Sequence, residues 1–99
     1  MSDNDDTTVT HVPAEERYVL TVGGEPVGFA AYTDQGGARI FTHTEIDPAQ
    51  GGKGYGSVLV AGALEQVRDE GGLRVVPECP FVAKYVEKHH DFDDLIAAG

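Results

Sequence analysis

The sequence predicts a single α+β domain with a mixed, mostly antiparallel sheet and two helices packed on it, in the order βββαβα. Glycine turns separate alternating segments in the first half of the chain, which is typical of hairpins. The second half carries two amphipathic segments of helical spacing with a short apolar run between them. With 99 residues the chain has room for one hydrophobic core, so a second domain is excluded.

Three antiparallel strands are predicted between residues 17 and 45. Residues 17–22 alternate, and Gly23 and Gly24 supply a two-residue hairpin turn. The second strand covers residues 25–33, and a turn at residues 34–37 leads into the third, residues 39–45. Turns this short join neighbouring antiparallel strands.

A helix, a buried strand and a second helix follow. Gly71 and Gly72 are predicted to end the first helix, and residues 73–76 form the strand. Pro80 takes the first position of the second helix, where a proline is well tolerated. Residues 91–96 fit either a turn or one helical coil. The apolar stripe of the first helix is Val60, Ala63, Leu64 and Val67, and that of the second is Phe81, Val82, Tyr85 and Val86.

Residues 1–15 are polar and acidic, without apolar periodicity, so they are predicted to be a flexible tail before a domain at residues 16–99. His11 lies in that tail and is given no role. The chain has 17 acidic and 7 basic side chains, a formal charge of -10. This charge repels nucleic acids and anionic bilayers. It favours cationic partners such as amines or basic peptides, but equally fits a protein kept soluble in a salt-rich cytoplasm.

The single cysteine cannot form an intramolecular disulfide, and no basic segment followed by an apolar run marks a secretory signal. Apolar runs are far shorter than the roughly 20 residues that cross a bilayer. We therefore expect a cytoplasmic protein without a membrane span.

The most informative stretch is glycine-rich and lies just before the first helix: Gln50-Gly51-Gly52-Lys53-Gly54-Tyr55-Gly56-Ser57. Glycine lets a ligand approach the backbone closely, and a helix N-terminus offers free N–H groups and a favourable dipole to a phosphate. Lys53 adds a positive charge. A flexible surface turn is the alternative. The stretch matches neither a Walker A loop nor a dinucleotide-binding fingerprint.

These residues resemble the acetyl-CoA motif of the GNAT acetyltransferases, Arg/Gln-x-x-Gly-x-Gly/Ala, with Gly51 in place of the first Arg or Gln. His43-Thr44-Glu45-Ile46 and Cys79-Pro80-Phe81-Val82 are similar to segments of the small YjdJ-like branch of that superfamily. The resemblance covers about residues 17–96 and implies a minimal GNAT-like fold. It also implies that acetyl-CoA is the cofactor and CoA the product. The implied cofactor-binding residues are Ile46, Gly51, Gly52, Lys53, Gly54, Tyr55, Gly56, Ser57, Phe81 and Lys84.

Three residues are candidates for catalysis. His43 and Glu45 are two apart on a predicted strand, so they point to the same face, together with Phe41. Either can accept the proton that an ammonium must lose before it attacks a thioester. Cys79 precedes Pro80 and is therefore expected at the helix N-cap, where the dipole favours a thiolate.

The resemblance leaves two chemical routes open. In one, Cys79 becomes acetylated with His43 as its base; in the other, the amine attacks acetyl-CoA directly. Tyr85 is a weaker candidate for the acid that protonates the leaving thiolate. No metal site is expected, because adjacent histidines such as His89 and His90 point in different directions on a helix.

The sequence thus predicts an acetyl-CoA-dependent N-acetyltransferase acting on an unidentified small amine or basic peptide. A non-catalytic module that binds acetyl-CoA or CoA, as a sensor or partner subunit, is the alternative, and a generic nucleotide-binding domain is a weaker one. The hairpin at Gly23 and Gly24 leaves no room for the helices that shape the acceptor pocket in larger relatives. We therefore expect an open acceptor site or one completed by another protein, for instance in a homodimer.

Overall fold

A computed structural model describes residues 7–50 and 54–96 of the chain. The α+β class and the mixed sheet with two helices agree with the sequence prediction, and short 3-10 turns connect some of the elements. The strands and helices in chain order are β1 (Thr7–Val12), β2 (Arg17–Val22), β3 (Glu25–Gln35), β4 (Ala38–Ile46), α1 (Tyr55–Glu70), β5 (Arg74–Pro77) and α2 (Pro80–Lys88).

The sheet has five strands in the spatial order β1-β2-β3-β4-β5. The first four form an antiparallel meander, whereas β5 lies parallel to β4. A parallel neighbour needs a crossover connection, and α1 provides it. Both helices pack on one face of the sheet, which we call the helix face. One core cluster joins Tyr18, Leu20, Ala30, Tyr32 and Phe41 of the strands to Leu59, Leu64, Val67 and Val82 of the helices. The opposite, open face carries no helix of the described residues.

Strand β1 corrects the prediction that residues 1–15 form a flexible tail. Thr7–Val12 pairs along its whole length with β2, as the edge strand of the sheet. Val9 packs on α1, and Gln66 donates a hydrogen bond of 2.7 Å to its carbonyl oxygen. A Cβ atom on Gly62 would lie 2.6 Å from Val9 Cγ2, so a glycine is needed for this close approach. The segment looked unstructured because its threonines are polar, although threonine favours strands.

His11 has no role in the sequence prediction, but it belongs to a polar cluster at this end of the sheet. Its Nε2 lies 2.6 Å from the Tyr32 hydroxyl, and its Nδ1 lies 3.3 Å from Glu70 Oε2. The imidazole ring stacks on Tyr18 at 4.3 Å between centroids. Burial lowers the pKa of His11, as does the charge of nearby Arg39.

The lowered pKa of His11 predicts that the protein loses stability as the pH falls. Glu70 and Asp34 face the ring and raise its pKa, but less than burial and Arg39 lower it. The unfolded chain binds the proton near the ordinary value of 6.5, and the folded chain binds it only at lower pH. The free energy of unfolding therefore decreases from about pH 6.5 downward through the folded pKa. Urea unfolding of His11→Gln between about pH 7 and about pH 5 should lack this decrease.

The matched control is His90→Gln. His90 is exposed and pairs only locally with Asp93, at 3.0 Å. This variant should retain the pH dependence of the wild type. Equal slopes for the wild type and His11→Gln would contradict the assignment to His11.

Candidate functional site

A β-bulge in β4 sets the direction of the candidate catalytic side chains. Ala31 pairs with His43 but Tyr32 pairs with Phe41, so Thr42 is an extra residue in β4. An extra residue reverses the in-out alternation beyond it. The prediction that Phe41 and His43 share a face is therefore wrong: Phe41 is buried in the core, and His43 projects from the open face.

His43 and Glu45 do share the open face, as their spacing predicted. His43 Nε2 lies 3.6 Å from Glu45 Oε2, and the two side chains are 59% and 66% exposed. The His43 ring also lies 5.9 Å from the ring of Phe29 on β3. This pair is positioned to receive a proton from a molecule on the open face.

Strand β4 continues beyond the end of β5. The parallel pairing ends where Phe41 meets Pro77, and the backbone N–H of Cys79 then donates to the Phe41 carbonyl at 2.8 Å. Residues 42–46 of β4 have no strand beside them on this side in the part of the chain that the structure describes. Because β5 ends before β4 does, a strip of β4 backbone is left open next to the start of α2.

Cys79 is the N-cap of α2, with Pro80 at the first helical position, as predicted. The side chain is buried, and its Sγ donates a hydrogen bond of 3.3 Å to Thr44 Oγ1. Burial raises the pKa of the thiol, but Thr44 and the backbone N–H groups of Phe81 and Val82 outweigh it, so the net pKa is lowered. The thiol at this position thus loses its proton more readily than an ordinary cysteine does.

The thiol and the imidazole lie on different sides of β4. Thr44, which contacts Cys79, points to the helix face, whereas the adjacent His43 points to the open face. The geometry therefore does not support His43 as the direct base for Cys79. Thr44 is the polar neighbour of the thiol, and the sequence reasoning missed it although it stands between the two residues that were singled out.

Thr44 is expected to hold down the pKa of Cys79. The Thr44 hydroxyl accepts from the thiol and can turn to donate to the sulfur once the thiol has lost its proton, which stabilises the thiolate. Thr44→Val removes this hydroxyl while it keeps the shape of the side chain, so the pKa of the thiol should rise. Thiolate absorbance near 240 nm reports this directly, because Cys79 is the single cysteine. Thr42→Val, at the exposed bulge, is the control and should leave the titration unchanged. An unchanged titration in Thr44→Val would contradict the role of the hydroxyl.

A cleft of about 240 Å³ lies at the N-terminus of α1, and we call it the turn cleft. Gly54 is the N-cap, with a φ of 77°, and no acidic side chain lies in the first helical turn. The free N–H groups of that turn are therefore available to an anion. The turn cleft is lined by Ile46, Gln50, Gly54, Tyr55, Gly56, Ser57 and Phe81. The predicted positions Gly51, Gly52 and Lys53 lie outside the described residues.

Phe81 closes one side of the turn cleft. A Cβ atom on Gly56 would overlap the Phe81 ring, so the glycine allows the aromatic side chain to lie against α1. Phe81 is nevertheless 43% exposed, which is high for a large apolar side chain. Its position between the two helices suits contact with a ligand.

A second cleft, of about 250 Å³, shares Ser57 and Phe81 with the turn cleft, and we call it the lysine cleft. Its other lining residues are Lys84, Tyr85, Lys88 and His89. The sequence singled out Lys84 but not Lys88, although spacing of four residues places both on one face of a helix. The rings of Tyr85 and His89 stack at 4.3 Å between centroids. Burial raises the pKa of Tyr85, and the negative charges of Asp91 and Glu65 raise it further. Tyr85 thus lines this cleft and not the turn cleft.

A third cleft, of about 550 Å³, opens on the face of the sheet without helices, and we call it the sheet cleft. No sequence motif pointed to it, because its residues come from β2, β3 and the end of β4. The lining residues are Arg17, Val19, Pro26, Val27, Gly28, Phe29, Glu45, Ile46, Asp47 and Pro48. Ile46 also lines the turn cleft, so the two clefts lie on either side of the end of β4.

None of the helices among the described residues has the length and apolarity needed to span a bilayer.

Comparisons with known proteins give a consistent result. Residues 17–95 match a family described as GCN5-related N-acetyl-transferase. No curated protein matches the chain. Among solved structures, a GCN5-like protein from Staphylococcus aureus superimposes with a TM-score of 0.70 at 19% identity, covering 100% of this chain and 93% of that one.

Two larger enzymes share the fold. N-acetylglutamate synthase from Neisseria gonorrhoeae, solved with coenzyme A and N-acetyl-glutamate, gives a TM-score of 0.52 at 18% identity, over 74% of this chain and 19% of that one. Ribosomal-protein-alanine N-acetyltransferase from Brucella melitensis gives 0.53 at 19% identity, over 84% and 62% of the two chains.

Proposed function

The chain belongs to the GCN5-related N-acetyltransferase family, and on this basis we propose that it transfers the acetyl group of acetyl-CoA to an amine. The observation that carries the proposal is the strip of open β4 backbone at residues 42–46, which runs between the turn cleft and Cys79. Its polar edge suits the amide groups of a pantetheine chain. The free N–H groups at the start of α1 suit a pyrophosphate. The N-acetylglutamate synthase of the same fold was solved with coenzyme A.

The transfer needs a proton acceptor near the amine. The nitrogen of a neutral amine attacks the thioester carbonyl carbon, the carbon–sulfur bond breaks, and the CoA sulfur leaves as a thiolate. The ammonium proton passes to His43 or Glu45, which lie together on the open face. In the covalent variant of the reaction, the Cys79 thiolate attacks the thioester carbonyl and the CoA thiolate leaves. The amine then attacks this acetyl-cysteine, and the Cys79 thiolate leaves.

We expect the lysine cleft to bind the 3′-phosphate of CoA. Lys84 and Lys88 place two positive charges beside the turn cleft in a chain that is otherwise strongly acidic. We expect the double variant Lys84→Gln/Lys88→Gln to weaken CoA binding by about tenfold or more, because two charge-assisted contacts are lost. Calorimetric titration with CoA and with dephospho-CoA checks this. Dephospho-CoA should bind both proteins alike, and an equal loss for both ligands would contradict a contact to the 3′-phosphate.

Thermal unfolding in the presence of acetyl-CoA, CoA or ATP tests the cofactor. Saturation to about a hundred times the dissociation constant adds roughly 2.7 kcal/mol, which raises the Tm of a domain of this size by roughly ten degrees or more. We expect acetyl-CoA and CoA, but not ATP, to raise the Tm. Because the chain is acidic, the measurement is repeated at high salt. A folded sample without a selective shift would contradict acetyl-CoA binding.

Turnover separates the enzyme from a sensor that only binds acetyl-CoA. Release of the CoA thiol is measured with panels of polyamines, basic peptides, small amines and amino acids. Amine-dependent release supports the transferase. Selective binding without release for any amine supports the alternative of a non-catalytic sensor or partner subunit.

A further inference from the structure

We propose that the sheet cleft is the acceptor site and that its acceptor is an amino acid, a molecule with both an amine and a carboxylate. This inference rests on the proposed function, because it names the substrate class of the same site. It narrows the sequence expectation of an unidentified small amine or basic peptide. The argument depends on where the cleft lies and on the charges at its two ends.

The location of the cleft fits an acceptor. Its volume of about 550 Å³ is within the range of small-molecule pockets, about 300–1,000 Å³. It shares Ile46 with the turn cleft, so only the end of β4 separates a ligand in one cleft from a ligand in the other. Glu45 lines it, and His43 lies beside Glu45. The candidate bases therefore lie at the end of β4 that separates the sheet cleft from the proposed donor site.

Arg17 forms the positive end of the cleft. Its guanidinium carbon lies 4.1 Å from the centroid of the Phe29 ring, which holds the side chain flat against the open face. Its Nε is buried and makes no hydrogen bond, a situation seen at no other buried side-chain polar atom in the described residues. Glu15 is the nearby carboxylate, but it is 3.7 Å from Nε and 64% exposed, so the pair is weak.

Nε is out of reach of a ligand because it is buried, but Arg17 lines the cleft and its terminal N–H groups carry the positive charge there. The natural partner is a carboxylate, which accepts two hydrogen bonds from a guanidinium in one plane. Phe29 keeps the guanidinium in a fixed orientation, so little side-chain entropy is lost when that partner binds. Arg17 thus favours an acceptor with an anionic group.

Glu45 forms the negative end. It pairs directly with Phe29 across β3 and β4, and the guanidinium of Arg17 lies over the ring of the same Phe29. Asp47 also lines the cleft, but one of its oxygens already accepts a hydrogen bond of 3.0 Å from the Ala49 N–H. Glu45 is therefore the main carboxylate available to an ammonium, with His43 next to it to receive the proton.

One molecule satisfies both ends if it carries an ammonium and a carboxylate. A polyamine would place a positive charge against Arg17, and a simple alkylamine would leave the guanidinium without a carboxylate partner. The same geometry predicts that the amide of an amino acid is a poorer acceptor than the free acid, because a neutral amide does not pair with the guanidinium.

The test compares acceptors that differ only at the carboxylate. CoA release is measured at saturating acetyl-CoA with all twenty amino acids and with two matched series. These series are L-leucine, L-leucinamide and 3-methylbutylamine, and L-alanine, L-alaninamide and ethylamine. We expect kcat/KM for an accepted free acid to exceed that of its amide and its amine by about tenfold or more. Amides and amines that are used as well as the acids would overturn the proposal.

Variants locate the effect. Arg17→Gln should remove the preference for the acid while the affinity for acetyl-CoA stays unchanged, and Arg17→Lys should restore part of it. Glu45→Gln should lower kcat/KM for acids and amines alike. Arg74→Gln, the same charge change at an exposed position on β5, is the control and should behave as wild type. A preference for the acid that persists in Arg17→Gln would contradict the assignment.

Product binding gives a readout that does not need turnover. N-acetyl-L-leucine and N-acetyl-L-alanine are titrated into the CoA complex and followed by NMR, with shifts expected at Phe29 and Glu45. If acetyl-CoA binds but no amino acid is acetylated and neither product perturbs the cleft, the acceptor proposal fails while the cofactor assignment stands. If acetyl-CoA itself does not bind, the proposed function fails first.

Discussion

Replacing Arg39 with methionine is expected to lower the free energy of unfolding by about 2–4 kcal/mol. The guanidinium is 6% exposed and donates at 2.8 Å to each oxygen of Asp34 and to the Tyr18 hydroxyl. It also lies over the Tyr32 ring at 4.2 Å. The variant leaves the hydroxyl of fully buried Tyr18 without this partner. The expected loss in the free energy of unfolding is smaller than for a fully buried ion pair, because Asp34 is 44% exposed and can be hydrated.

Thermal and urea unfolding measure the loss. For a domain of this size, about 2–4 kcal/mol corresponds to a decrease in Tm of roughly 10–25 °C. Arg68→Met is the control: its ion pair with Asp94 is 2.8 Å long but exposed, so we expect about 1 kcal/mol or less. A loss of about 1 kcal/mol or less for Arg39→Met would contradict a stabilising role for the contacts of Arg39 with Asp34 and Tyr18.

The pH dependence gives a second check on the Arg39 cluster. The hydrogen bond from Arg39 lowers the pKa of Asp34 below its ordinary value of 3.8. A lowered carboxyl pKa contributes stability above the unfolded value, and this contribution is lost as the pH falls through the folded pKa. The difference between the wild type and Arg39→Met should therefore narrow below about pH 3.8.

The largest expected effect on activity comes from Cys79→Ser. If the acetyl group passes through Cys79, kcat should fall by roughly 100-fold or more, since a serine hydroxyl at this position is a much weaker nucleophile than a thiolate. The fold should be retained, because serine is a favoured N-cap residue and can still bond to Thr44. The affinity for acetyl-CoA should be nearly unchanged.

Single-turnover kinetics measures the loss of acetyl transfer in Cys79→Ser, and mass spectrometry measures acetylation of Cys79 in the wild type. Wild-type protein mixed with acetyl-CoA in the absence of an amine should gain one acetyl group on Cys79, and Cys79→Ser should gain none. Thr44→Val separates positioning from chemistry, because it should shift the pH profile upward with the thiol pKa. Turnover retained in Cys79→Ser would eliminate the covalent route and leave direct attack by the amine.

Local patterns predicted the elements and part of the site. Glycine turns, the helical spacing of Val60 to Val67 and the proline after Cys79 are short-range features, so they can be recognised without knowledge of distant contacts. They correctly gave the β2–β3 hairpin, both helices and the N-cap position of Cys79. The family resemblance, which depends on segments between His43 and Val82 and covers about residues 17–96, agrees with the family match over residues 17–95.

The sequence by itself determined the α+β class, the two helices and the cysteine at the helix N-cap, because propensity, periodicity and capping act over a few residues. The tertiary structure decided the rest. Thr7–Val12 forms a strand because it pairs with β2 and because Gly62 leaves room for Val9 against α1. His43 and Phe41 face opposite sides because Thr42 bulges against β3. Arg17 and Glu45 share a cleft because strand pairing brings distant segments together, and long-range pairing leaves no local signal.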